Sequence, residues 1–152
     1  MKRLLCAVFA VFMMLTLAAC GGDSTKTVDA QALADALKAG VTFEDTLSAV
    51  SEDELRFSLA ELPDDVKMAA YRADGTTSEE IIVVQCAKED AAAVKASLET
   101  HLAEVKDQAS KYQPEEVERL DHAVLTVGDT CVVLCVTADT DTANALIKEQ
   151  LG

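Results

Sequence analysis

Basic side chains are in short supply in this chain: lysine and arginine number 13, against 27 aspartates and glutamates in 152 residues. Binding nucleic acid rests on Lys and Arg neutralising phosphates, so a nucleic-acid partner is not expected. Glycine is sparse too. The six glycines, at 21, 22, 40, 75, 128 and 152, form no phosphate-cradling loop. With only His101 and His122 there is no zinc-protease helix, and no serine sits in a nucleophile elbow. The sole asparagine, Asn144, is outside any glycosylation sequon. These absences leave no familiar catalytic set, so the chain reads as a non-enzyme without a cofactor.

A long apolar run is missing as well. The apolar run Leu4 to Leu17 carries no charge and is 14 residues, short of the roughly 20 that a membrane-spanning helix needs. Its surroundings give it another meaning. Lys2 and Arg3 precede it, and Leu17-Ala18-Ala19-Cys20 ends it before Gly21-Gly22. A basic start, an apolar centre and a small-residue site make a secretory signal. The cysteine directly after the small residues resembles the bacterial lipobox, which implies diacylglycerol on the Cys20 sulfur and cleavage just before it. Residues 1–19 are then the signal peptide, 20–28 the lipidated cysteine and a small, polar tether, and 29–152 one domain. The expected location is the cell membrane, lipid-anchored and facing the extracytoplasmic side. Without the signal, 11 basic side chains face 27 acidic ones, a net of −16. An apolar fraction of 50% and clear periodicity point to a folded rather than a disordered acidic chain.

Of five cysteines, Cys6 leaves with the signal and Cys20 is taken by lipid. Cys86, Cys131 and Cys135 remain, an odd number that closes no disulfide framework. Four residues apart on one strand, Cys131 and Cys135 lie about 13 Å apart, too far for a bridge. All three read as free thiols packing as small apolar side chains.

Along the domain, Asp29 caps a helix with Ala30, Leu33, Ala34 and Leu37 on one face. Ser51 to Glu54 form a capping box opening a second helix with Leu55, Leu59 and Leu62 on one side, stopped by Pro63. Val66–Arg72 and Ile81–Ala87 then read as strands. About Asp90 to Lys111 is the longest helix, with a stripe of Ala91, Val94, Leu98, Leu102, Val105, Ala109 and Tyr112. His101 falls at the edge of that stripe, where a ring tipped to water is expected. Pro114 opens a short helical turn, Ala123–Val127 and Cys131–Val136 form a hairpin around Gly128-Asp129, and a last helix starts near Asp139. The fold class is α+β: two N-terminal helices followed by ββα-ββα, an antiparallel sheet with helices on one face.

The order of elements resembles a known family, as do Ala69-Ala70-Tyr71, Thr77-Ser78-Glu79-Glu80-Ile81, Pro114-Glu115-Glu116-Val117, Leu120-Asp121-His122-Ala123 and Gly128-Asp129 before a Val-rich strand. These motifs resemble the small bacterial lipoproteins grouped as domain of unknown function 4358, over roughly residues 30–150. The resemblance implies an extracytoplasmic lipoprotein and supplies no activity, ligand or catalytic residue. His122 stands where the family suggests Asn or another polar residue, so no role carries over to it.

One chemical constellation remains. A two-residue turn at Gly128-Asp129 sets His122 opposite Cys135, Val124 opposite Val133 and Thr126 opposite Cys131 on one face. A thiol beside an imidazole is a candidate nucleophile pair, and His122, Cys131 and Cys135 are candidate soft-metal ligands. Packing under a covering helix is the plainer reading; the N-terminal helices, with their Leu33–Leu37 and Leu55–Leu59 stripes, are the expected cover. Asp139 and Asp141, with Asp129 near, could attract calcium, although Asp139 is explained as a helix cap. The expected function is a membrane-anchored binding or interaction module, with a small thiol/His enzyme or a metal-binding protein on the His122–Cys135 face as the alternative. A solute-binding protein for a transporter, which closes two domains over its ligand, fits this length poorly.

Overall fold

Three side chains start three helices as their sequence positions predict. Asp29 accepts from Ala32 N at 2.8 Å and opens α1 (Ala30–Gly40). Ser51 accepts from Glu54 N and opens α2 (Glu52–Ser58), and Asp139 accepts from Thr142 N and opens α5 (Thr140–Leu151). The computed structural model describes residues 27–152. The expected signal, the Cys20 lipid site and most of the tether fall at residues 1–26, outside the described residues. Val28 already belongs to the fold: it packs on the core, and its N–H donates to Thr130 Oγ1 at 3.3 Å.

The remaining elements are β1 (Leu47–Ala49), β2 (Lys67–Ala73), β3 (Glu80–Gln85), α3 (Ala91–Tyr112), α4 (Val117–Asp121), β4 (Val124–Val127) and β5 (Cys131–Val136). The five strands form one sheet in the order β1-β2-β3-β5-β4, every neighbouring pair antiparallel. No described helix is long and apolar enough to cross a membrane.

This differs from the expected arrangement in two ways. Strand β1 interrupts the two N-terminal helices; Leu47-Ser48-Ala49 is three residues, too short to show an alternating pattern. Helices also cover both faces of the sheet, as cover of the Cys131–Cys135 face requires, but the two N-terminal helices are split between them, α1 with α5 on one face and α2 with α3 on the other. On the first face, α1 and α5 bring Leu33, Leu37, Ala143 and Ile147 onto Ala69, Ile81, Val83, Val133 and Cys135. On the second, Leu55, Leu59, Val94, Leu98 and Leu120 from α2, α3 and α4 pack on Ala70, Ile82, Val84, Val132 and Leu134. The cause is visible in the strands. Ile81-Ile82-Val83-Val84 in β3 and Cys131 to Val136 in β5 are apolar at every position and buried throughout. Two-sided apolar strands need cover on both sides.

The α3 stripe holds at its start and fails at its end. Ala91, Val94, Leu98 and Ala109 are buried, Leu102 and Val105 are half-buried, and Tyr112 is exposed. A 22-residue helix runs about 33 Å at 1.5 Å per residue, whereas a six-residue strand covers about 20 Å. The last turn therefore overhangs the sheet. His101 departs from expectation in the other direction: it is buried, for reasons that lie at its partner on β3.

Candidate functional site

His122, Cys131 and Cys135 do not come together. The hairpin turns one residue later than Gly128-Asp129 predicts. Gly128 N donates to Cys131 O at 2.8 Å, so Asp129-Thr130 form the tip and Val124, not His122, faces Cys135. Gly128 serves packing instead, because a β-carbon there would sit 3.2 Å from the end of Leu151 on α5. His122 precedes the strand as the C-terminal cap of α4, exposed, with Nδ1 2.8 Å from Glu118 O.

Both hairpin thiols are fully buried, beneath α1 and α5. The α1 stripe gives part of the expected cover; the α2 stripe lies on the opposite face with Cys86, and α5 supplies the rest. Burial pushes Cys135 up to about 12, with Glu79, Glu80 and Asp139 adding to it. Burial likewise pushes Cys131 up to about 11, with Cys86 adding. Because the thiolate is the nucleophile and the metal ligand, these sulfurs are inert at neutral pH. Among the described residues no group of three or more His, Cys, Asp or Glu side chains is placed to hold a metal ion. Of the acids weighed for calcium, Asp139 caps α5 and accepts from Thr42 N, and Asp129 pairs with Lys88 at 2.9 Å.

The polar chemistry gathers where β2 turns into β3. Glu79, fully buried, accepts from Glu44 N (2.9 Å), Asp45 N (3.0 Å) and the Thr77 hydroxyl (3.1 Å) through Oε2. Its Oε1 takes Arg119 Nη1 at 2.7 Å. Arg119 reaches round the sheet end from α4 and also meets Glu116 (Nε–Oε2, 3.1 Å) and Glu44 (Nη2–Oε1, 3.0 Å). Burial alone would lower the guanidinium's pKa; Glu44, Glu116 and Glu79 outweigh it and raise it. Glu116 accepts from Ser78 N at 2.7 Å, and Asp45 accepts from Thr76 N and Thr77 N at 2.9 and 3.0 Å. The Thr77 bonds hold the Asp45 carboxyl below its ordinary range. Gly75 is required here, since a β-carbon would collide with the Asp45 carboxylate. The whole β2–β3 turn is thereby clamped to the segment after α1 and to the Pro114–Glu116 turn.

One residue on, Glu80 points to the opposite face of the sheet. It is 3% exposed, and its Oε1 lies 2.8 Å from His101 Nε2 on α3. Its Oε2 faces Arg72 Nε at 3.6 Å, beyond hydrogen-bond reach. Arg72 is held from outside by Glu54 at 2.8 Å. The buried pair forms the floor of an open groove of about 480 Å³, walled by Arg72, Glu104 and Gln108, with Phe57 at its lip. Phe57 is 93% exposed, the most exposed of the large apolar side chains among the described residues.

Sequence reasoning gave Glu80 no role and read His101 as a boundary ring tipped to water, so it did not pair the two. Two signals were there. His101 lies three residues after Leu98 on the buried stripe, and two consecutive acids head a strand of β-branched residues. A carboxylate so placed is desolvated by its neighbours and must find a partner.

Comparison with protein families matches residues 48–137 to the family described as "Domain of unknown function (DUF4358)". The chain belongs to this family. The DUF4358 span runs from within β1 to the residue after β5, and so contains Glu79, Glu116 and Arg119 of the clamp and the Glu80–His101 groove, but not Glu44, Asp45, α1 or α5. No curated protein and no solved structure matches the chain. The short motifs that resembled the DUF4358 family have structural positions: Thr77 to Glu80 and Glu116 carry the clamp and the groove floor, and Ala69-Ala70-Tyr71 lies in the middle of β2.

Proposed function

We propose that this protein is a lipid-anchored, extracytoplasmic binding module of the DUF4358 family, without enzymatic activity, held at the cell membrane through Cys20. The basic start, the 14-residue apolar run and Leu17-Ala18-Ala19-Cys20 support the anchor. A lipid chain contributes roughly 0.8 kcal/mol per buried CH₂, so the two chains of a diacylglycerol hold a domain firmly. The binding reading is carried by the groove under Phe57: an exposed aromatic beside a desolvated carboxylate, on a surface that the fold itself does not fill.

The placement of the two ends suits this role. Val28, where the tether enters, lies beside Thr130 in the β4–β5 turn. The groove is at the other end of the strands, around Arg72 and Glu80, about 20 Å away for a six-residue strand. A domain tethered at Val28 therefore presents the groove away from the bilayer. The thiol–imidazole pair on which an enzymatic reading rested does not form.

The anchor has a direct test. Wild-type protein is expected in the membrane fraction and labelled when cells are fed radioactive palmitate; Cys20→Ala is expected to lose both properties. A Cys20→Ala protein that stays membrane-bound and labelled would refute the lipid anchor.

A further inference from the structure

We infer that the tether end of the domain, around Val127, rests on the bilayer that holds the protein, with Lys88 and Lys148 on lipid phosphates. The inference rests on the lipid anchor proposed above and adds a second contact between the domain and the membrane.

Chain length puts this surface beside the bilayer. Eight residues of chain carry Cys20 to Val28, a reach of at most about 28 Å when fully extended. The Val28 side chain packs on the core and its N–H donates to Thr130 Oγ1, so the tether leaves the fold at the β4–β5 turn. Around that turn lies an open concavity of about 610 Å³, lined by Lys88, Ala91, Val127, Lys148 and Leu151 among others. Val127, the last residue of edge strand β4, is 44% exposed. An apolar rim flanked by lysines suits the headgroup region. Val127 and the lysine stems meet its apolar boundary, and the ammonium groups meet phosphate.

Charge is distributed in the same sense. Lys148 is exposed and makes no ion pair among the described residues. Lys88 pairs with Asp129 at 2.9 Å, but both are largely exposed, so the pair is weak and the ammonium can turn to a phosphate. Glu89 and Glu149 are exposed nearby without lining the concavity. Two cations therefore face one acid here, in a chain with 27 acidic and 13 basic side chains. The opposite end of the sheet gathers Glu44, Asp45, Glu79, Glu80 and Glu116, with Arg72 and Arg119 as their cations. An anionic bilayer repels that end and favours the tether end as the one in contact. The contact need not be strong. A tether this short holds the surface at an effective concentration on the order of millimolar, which populates a contact that a free domain would not keep.

The test places the protein purified from membranes in nanodiscs of phosphatidylcholine and phosphatidylglycerol, a small share of the lipid carrying a gadolinium chelate on its headgroup. Paramagnetic broadening of methyl signals in nuclear magnetic resonance reports how near each residue comes to the headgroups. Val127 and Leu151 are expected to broaden strongly, while Thr77 and Thr137, about 20 Å further along the strands, keep their line widths. Lys88→Gln and Lys148→Gln are each expected to lower the docked-to-undocked ratio about fivefold. Lys111→Gln, at the far end of α3, should leave it within about twofold. Equal effects of Lys111→Gln and Lys148→Gln would mean diffuse attraction only, and would overturn the proposal. Equal broadening at Val127 and Thr77 in protein that stays in the disc would mean a freely turning domain, which overturns the docking and leaves the anchor in place. Mass spectrometry showing Cys20 without lipid would overturn the anchor and the docking together.

Discussion

Replacing Arg119 with methionine is expected to destabilise the domain by roughly 3–5 kcal/mol, the range for removing one partner of a buried ion pair. Among the described residues Arg119 is the only cation in direct contact with Glu79, and Glu79 is fully buried. Glu116, its side chain 8% exposed, loses its cation at the same time. Methionine keeps much of the length and packing of the arginine stem but leaves two buried carboxylates without a counter-charge. The outer member of the cluster gives the contrast. Glu44 is 60% exposed, so Glu44→Ala should cost no more than about 1 kcal/mol. Urea unfolding of the two variants separates these cases. If both cost less than about 1 kcal/mol, the cluster does not hold the β2–β3 turn.

Leu98→Ala is expected to cost roughly 2–5 kcal/mol. Leu98 is 0% exposed and sits mid-helix on α3, where it packs among Ile82, Val84, Val94 and Leu134 in the second core. Truncation removes three carbons from a site with a rigid sheet beneath it, so little collapse is available to fill the cavity. The next residue, Glu99, is exposed and among the described residues pairs only with Lys95 one turn earlier. Glu99→Ala should therefore change stability by no more than about 0.5 kcal/mol. Equal effects in urea melts would mean that α3 presents a different face to the sheet.

How far the sequence anticipates this structure depends on how local each determinant is. Helix caps need a side chain and an N–H three residues on, and Asp29, Ser51 and Asp139 all behave as their spacing predicts. The α3 stripe follows from the helical repeat until the helix outruns the sheet at Tyr112. The hairpin tip was misplaced because Gly128 looks like a turn residue but closes the ladder by donating to Cys131 O, close beside Leu151 on α5. The approach to Leu151 joins elements more than twenty residues apart. The Glu80–His101 pair was illegible for the same reason: it spans 21 residues and depends jointly on strand register and helix phase. Likewise, Cys131, Cys135 and their face were correctly grouped by strand alternation, while the partner across the strand needed the turn. The family motifs gave no role to any residue. In the fold, Glu79, Glu80 and Glu116 acquire one through their contacts.

Both faces of the sheet are core, which favours the groove over the thiols as the proposed functional site. Cysteine labelling tests this most directly. Reduced, full-length protein is treated with a maleimide at pH 8, with and without urea, and the modified positions are mapped. Cys131 and Cys135 should react only as fast as the domain unfolds, and promptly in denaturant, because both are fully buried and held well above their ordinary pKa. Prompt labelling of either thiol in the native protein would contradict the account and return the Cys135 face to consideration as the functional site.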